Sequence, residues 1–86
     1  MVLDPRRKQI IYRANHRGIK EMDILLGRYA SDFVESLTEE ELVLLELIMD
    51  ESDRDLLTWF TGEVTVPDRH QNAVFEAIRS HQRRSV

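Results

Sequence analysis

The chain has no cysteine. That excludes disulfides, thiolate metal sites and a cysteine nucleophile, and it fits a reducing compartment. Glycine and proline are scarce, three and two in 86 residues, so few positions can host a left-handed turn or a rigid break. Long apolar runs are missing as well. The longest, Leu42 to Leu45, is four residues and meets Glu46, whereas a bilayer span needs roughly 20. Met1 to Pro5 carry no signal-peptide apolar region, and the stretch before the first predicted helix is too short for a removable targeting segment, so the expected location is cytoplasmic. Catalytic arrangements are wanting too. Ser31, Ser36 and Ser80 have no glycine-flanked elbow, and His16, His70 and His81 share no metal-binding spacing. Asp50, Asp53 and Asp55 lack the glycine and terminal glutamate of a calcium loop. His70 and His81 are expected at the surface, and neither an enzyme nor a metal protein is expected.

What is present is a soluble globular balance, 42% hydrophobic and 33% charged. A chain of 86 residues makes one domain, expected over residues 1–86, which buries only about 60–65% of its unfolded surface. A thin core of that kind suits binding or scaffolding better than a large cofactor cleft. The net charge of −4 is unevenly spread. Residues 1–20 carry six Lys/Arg against one acid, residues 21–63 two against thirteen, and residues 64–86 four against two. A basic end of this sort can grip nucleic acid, an acidic protein surface or an anionic membrane, or be an ordinary solvated face.

The apolar pattern is helical throughout and predicts an all-α, compact five-helix bundle of short helices. Asp4 as N-cap and Pro5 as first residue start a helix running to Asn15, with Ile10, Ile11 and Ala14 on one side. After Gly18, the stripe Ile19, Met22, Leu26, Tyr29 and Phe33 predicts a second helix reaching Glu35. Thr38 and Glu41 form a capping box for a third, with Leu37 as its staple. Leu42, Val43, Leu44, Leu45, Leu47, Ile48 and Met49 cover most of that helix, which places it centrally. A short fourth helix spans Arg54 to Thr61, capped by Ser52 or Asp53, and Gly62 stops it. The fifth is expected over Asp68 to Gln82, with Val74, Phe75 and Ile78 inward and a frayed tail at Arg83 to Val86.

His16 to Asp23 stands out, because it joins the basic end to the acidic middle. Gly18 permits an unusual turn or a close approach by another chain. Arg17 offers a planar fork suited to carboxylates and phosphates. The plain structural account makes Gly18 an N-cap, Glu21 its capping partner and Arg17 a surface charge. On spacing alone that account is the better one.

The residues themselves add something that spacing does not. Arg17, Gly18 and Glu21, with Tyr12 six residues before the glycine and Asp23 after it, closely resemble the R-G-x-x-E signature of the succinate dehydrogenase assembly factors, also called FAD or flavinylation assembly factors. Asp53-Arg54-Asp55-Leu56-Leu57-Thr58-Trp59 is similar to that family's D-P-D-L-x-x-W segment, with Arg54 in place of the proline. His16 stands where many members have a second basic residue, and Ile19 where Met or Thr is common. The resemblance covers residues 6–80. It implies a non-enzymatic factor that binds the flavoprotein subunit of succinate dehydrogenase, a part of respiratory complex II, and promotes covalent attachment of FAD to that client. Fumarate reductase is a related possible client. The family's linkage is thought to form autocatalytically on a client histidine, so the factor itself supplies no nucleophile and is assigned no cofactor or metal. The docking surface would comprise Tyr12, Arg13, His16, Arg17, Gly18, Glu21 and Asp23, with Arg17 and Glu21 hydrogen-bonding across the interface. The free chain is expected to be a monomer that neither enters a membrane nor binds nucleic acid. Two rivals remain at this stage: a DNA-binding module using the basic first helix, and a helical adaptor for an unrelated protein. Trp59 is expected in the core.

Overall fold

A computed structural model describes residues 3–84. Polar caps set most helix ends. Helix α1 is Pro5–Asn15, and the Asp4 carboxylate accepts the Arg7 amide at 2.8 Å. Helix α2 is Lys20–Phe33 and tightens into a 3₁₀ turn at Val34–Ser36. Helix α3 is Glu39–Met49, opened by a reciprocal capping box in which Thr38 Oγ1 accepts from Glu41 N at 3.2 Å and Glu41 Oε1 from Thr38 N at 2.9 Å. Helix α4 is Asp53–Phe60, capped by Ser52. Each such cap is worth about 1 kcal/mol. Gly62 ends α4 at φ +83°, a left-handed conformation that glycine adopts without cost.

The fifth helix starts later than its pattern predicts. Asp68–His70 form a separate 3₁₀ turn, and α5 is Ala73–Arg84. Asn72 decides the start, because its Oδ1 accepts the Phe75 amide at 2.9 Å. Arg83 and Arg84 are the last residues of α5, and the rest of the tail, Ser85 and Val86, lies outside the described residues. Among the described residues there are five α-helices and no strand.

The core gathers one face from each helix: Ile10 and Ala14, Met22, Leu26 and Tyr29, Leu42, Leu45 and Ile48, Leu56 and Trp59, and Val74, Phe75 and Ile78 are all buried. Phe60 stacks on Phe75 with ring centroids 4.3 Å apart. Helix α3 is less central than its composition suggests, since Val43 and Leu47 lie 46% and 50% exposed. Their side of α3 is flanked by the carboxylates that meet α1. Arg6 of α1 binds Glu46 at 2.5 Å and Glu39 at 2.6 Å. Helices α1 and α2 pack closely at Gly27, which is buried. A Cβ there would stand 2.3 Å from Asn15 Oδ1.

Two histidines differ from expectation. His70 is buried, 2% exposed, between Trp59 and Phe75. Its Nε2 lies 2.6 Å from Glu51 Oε2. A carboxylate only accepts, so Nε2 carries the proton, and Nδ1 is buried without a partner. The Pro67 turn folds His70 inward, which no apolar periodicity announces. His81 is mostly buried too. It reaches Asp32 Oδ2 at 2.9 Å and meets the Phe33 ring edge-on, tying α5 to α2.

Candidate functional site

The turn between α1 and α2 is built from inside the chain. Its first brace is Asp23, whose Oδ1 accepts the backbone N–H of Arg17 at 2.5 Å. Its second is the Arg17 side chain, which turns inward towards the junction of α3 and α4. Nε donates to Asp53 Oδ1 at 2.7 Å, Nη2 to Glu51 O at 2.8 Å, and Nη1 to Met49 O. These two carbonyls lie where α3 ends, and helix-end carbonyls have no partner within the helix. The guanidinium satisfies them while neutralising Asp53. The two side chains are 11% and 16% exposed.

Arg17 is therefore not the outward fork that the sequence suggested. It is a strut that holds the turn against the start of α4. This contact also joins the two similar segments, since Arg17 belongs to one and Asp53 to the other. Asp23 is half-buried and serves the same turn.

Gly18 lies over these braces at φ +102°, exposed, with no atom within 4 Å of where a Cβ would sit. The glycine is needed for the backbone conformation and not for want of space. Gly18 is not the N-cap. Ile19 occupies that position without a side-chain cap, and its carbonyl accepts from Met22 N and Asp23 N at 3.0 Å each.

Glu21 consequently has no capping duty. It is exposed in the first turn of α2, and among the described residues nothing in the chain bonds to it. An acid there is favoured by the helix dipole, by about 0.3–1 kcal/mol, a general effect that leaves the carboxylate free to bond elsewhere.

On the α1 side, Tyr12 is 64% exposed, and its ring stacks on His16 with centroids 4.1 Å apart and planes 19° off parallel. His16 Nδ1 lies 2.7 Å from Tyr12 O. A carbonyl only accepts, so Nδ1 carries a hydrogen. Arg13 donates to Asp50 Oδ1 at 3.0 Å. Tyr12, Arg13, His16, Arg17, Ser52 and Asp53 line a shallow cleft of about 320 Å³. A larger groove of about 660 Å³ lies elsewhere, between Trp59, Val64 to Val66 and α5. Volume alone does not select it, since Trp59 lines it but no residue of the R-G-x-x-E motif does.

Sequence reasoning missed Glu51. Its carboxylate takes hydrogen bonds from Arg69 at 2.9 Å and His70 at 2.6 Å, and these two bonds hold it below the usual range. Its backbone carbonyl is one of the Arg17 acceptors. The loop carrying Asp53 is thus fixed from both sides. No motif signals a residue that works through its main chain.

Residues 8–82 match the family described as flavinator of succinate dehydrogenase. The chain belongs to that family. The match takes in the Arg17 turn, the Asp53 segment and most of α5. Among its relatives is the FAD assembly factor SdhE of Acetobacter pasteurianus, 38% identical over 77% of this chain and 61% of that protein. Two proteins named succinate dehydrogenase assembly factor 2, mitochondrial, also match. That of Yarrowia lipolytica is 38% identical over 88% of the chain and 55% of its own length. That of Dictyostelium discoideum is 31% identical over 87% and 53%. The chain spans little more than half the length of these curated relatives. No helix among the described residues is long and apolar enough to cross a membrane.

Proposed function

We propose that this flavinator-family chain binds the flavoprotein subunit of succinate dehydrogenase and promotes covalent attachment of FAD to it, acting as a docking scaffold and not as an enzyme. The observation that carries the reading is Glu21: an exposed carboxylate with no partner in its own chain, set beside a turn whose shape Arg17, Asp23 and Asp53 enforce. A residue placed so firmly with no work to do inside the fold is available to a partner. A charge-assisted hydrogen bond from the client to Glu21 is worth about 1.5–3 kcal/mol. The exposed Tyr12–His16 stack and the side-chain-free backbone at Gly18 let a second chain approach closely.

A scaffold promotes a reaction by binding one arrangement of its client better than the others. Raising a competent arrangement from 1% to 99% takes about 5.5 kcal/mol of differential affinity. A few such bonds at one interface supply that much. FAD is cargo of the client in this reading, and no site for it is assigned on this chain. Cytoplasmic residence and a second client in fumarate reductase belong to the same proposal.

The nucleic-acid alternative loses support from the ion pairs. Arg6 is committed to Glu39 and Glu46, Arg7 to Asp4 and to the Val34 and Leu37 carbonyls, Arg13 to Asp50, and Arg17 to Asp53. Phosphate binding needs cations free to displace counterions, and these four already have partners, which leaves Lys8 as the exposed unpaired cation of α1.

The test is deletion of the gene followed by in-gel flavin fluorescence at the mass of the flavoprotein subunit. The reading expects fluorescence to fall and to return with the wild-type chain. Unchanged fluorescence would overturn it.

A further inference from the structure

The fold leaves charged side chains unpaired on several elements, among them Lys8, Glu35, Glu40, Arg54 and Glu63. Among the described residues, most cations of α1 are consumed by carboxylates and carbonyls of the same chain. The outer face of α2 gathers three more. The side chains of Lys20, Glu21 and Arg28 are exposed there, and none of them has a hydrogen bond or ion pair. Glu21 and Arg28 are seven residues apart, about two turns or 10 Å along the axis. They share a face but cannot pair with each other. Between them lies Ile24, 43% exposed, three residues after Glu21 and four before Arg28, which aligns all three side chains. Lys20 begins the same row.

An isolated exposed isoleucine needs no explanation. This one is bracketed by an unpaired acid and an unpaired base, in line with the carboxylate already read as the docking group. An apolar anchor with charges at its rim is the common layout of a protein interface.

We infer that the client-docking surface does not stop at the Gly18 turn but runs two turns along the outer face of α2, with Ile24 as its apolar anchor and Arg28 as its far electrostatic contact. The occupant is the flavoprotein subunit, so the inference rests on the function proposed above. The charge order fixes the chemistry required of it. The client must present an apolar pocket with a basic group on the Glu21 side and a carboxylate on the Arg28 side. This surface is continuous with the proposed Glu21 contact, with Glu21 and Lys20 at one end and Arg28 at the other.

The experiment titrates purified flavoprotein subunit with wild-type chain and with Ile24→Asp, Ile24→Ala, Arg28→Glu and Glu21→Ala variants, each first shown to melt like wild type. Calorimetry gives Kd, and sedimentation of the chain alone gives its oligomeric state. Ile24→Asp is expected to weaken Kd by about tenfold or more, and Ile24→Ala and Arg28→Glu each by several-fold. If wild type binds and Glu21→Ala weakens binding while both Ile24 variants match wild type, the α2 extension is wrong and the docking reading stands. If wild type does not bind the subunit at all, the docking reading itself fails. A wild-type dimer that Ile24→Asp converts to monomer would assign the face to a second copy of this chain and overturn the inference.

Discussion

Arg17 Nε donates to Asp53 Oδ1 at 2.7 Å, 36 residues away in the chain, and this one contact locks the α1–α2 turn onto the start of α4. Removing one member of a buried pair leaves the other charge uncompensated, which costs about 3–5 kcal/mol in full burial. The pair here is mostly and not wholly buried, but loss of Arg17 also strips the Met49 and Glu51 carbonyls of their donor. Arg17→Ala is therefore expected to destabilise by about 2–4 kcal/mol. That is a fall in Tm on the order of 10 °C for a domain this small. Arg17→Lys should recover only part, because an ammonium cannot span three acceptors as a planar fork does. Differential scanning calorimetry of the two variants checks this.

Gly18 separates backbone strain from steric obstruction. Its φ of +102° strains any L residue, yet there is open space around the position. Gly18→Ala and Gly18→Arg should each lose about 1–2 kcal/mol of stability, and nearly the same amount as each other. Only the arginine projects far into the space a client would occupy. Flavin incorporation should therefore fall much further for Gly18→Arg than for Gly18→Ala, a contrast that fluorescence gels and urea melts run on the same samples would reveal.

Much of this molecule is legible from its sequence, because its helix signals are local. Asp4-Pro5, the Thr38/Glu41 box and Ser52 each mark a start through a hydrogen bond spanning three residues, and each is present in the fold. The start of α5 falls later than the apolar pattern predicts because Asp68–His70 form their own turn and Asn72 caps the helix through the Phe75 amide. The site was legible in membership but not in orientation. Arg17, Gly18 and Glu21 could be picked out as a group, but which of them points inward depends on Asp53, and a contact that distant leaves no trace in local spacing. Buried His70 and the fitted contact at Gly27 were missed for the same reason, since both depend on what a neighbouring element brings.

Glu51 predicts a pH dependence with a definite sign. Hydrogen bonds from Arg69 and then His70 hold its folded pKa below the ordinary carboxylate value, against an opposing contribution from burial. Its stabilising contribution is present above the unfolded pKa of about 4.3 and is lost as pH falls through the lower folded value. Denaturant midpoints measured between about pH 6 and pH 3 should show wild type more stable than Glu51→Gln at the upper end by about 1 kcal/mol. The two curves should converge at the lower end. A constant gap across the range would mean that the carboxylate's charge is not what stabilises.

The ion pairs of α1 make a prediction about nucleic acid. With Arg6, Arg7, Arg13 and Arg17 all paired internally, mobility-shift titration against random duplex DNA should show no retention at physiological salt. Any weak binding at low salt should have a shallow salt slope, about one or two counterions and not six or more. A slope of the larger size would return α1 to the list of binding surfaces.

Two roles separate within one motif: Arg17 holds the turn from within, and Glu21 is the residue proposed to meet the partner. The most direct measurement is covalent flavin on the flavoprotein subunit in cells carrying Glu21→Ala, read by in-gel fluorescence, with the variant's Tm taken alongside. The predicted result is a melting temperature within about 2 °C of wild type, since an exposed unpaired side chain contributes little to stability, together with a large loss of covalent flavin. Wild-type flavin levels in a normally folded Glu21→Ala variant would contradict the account.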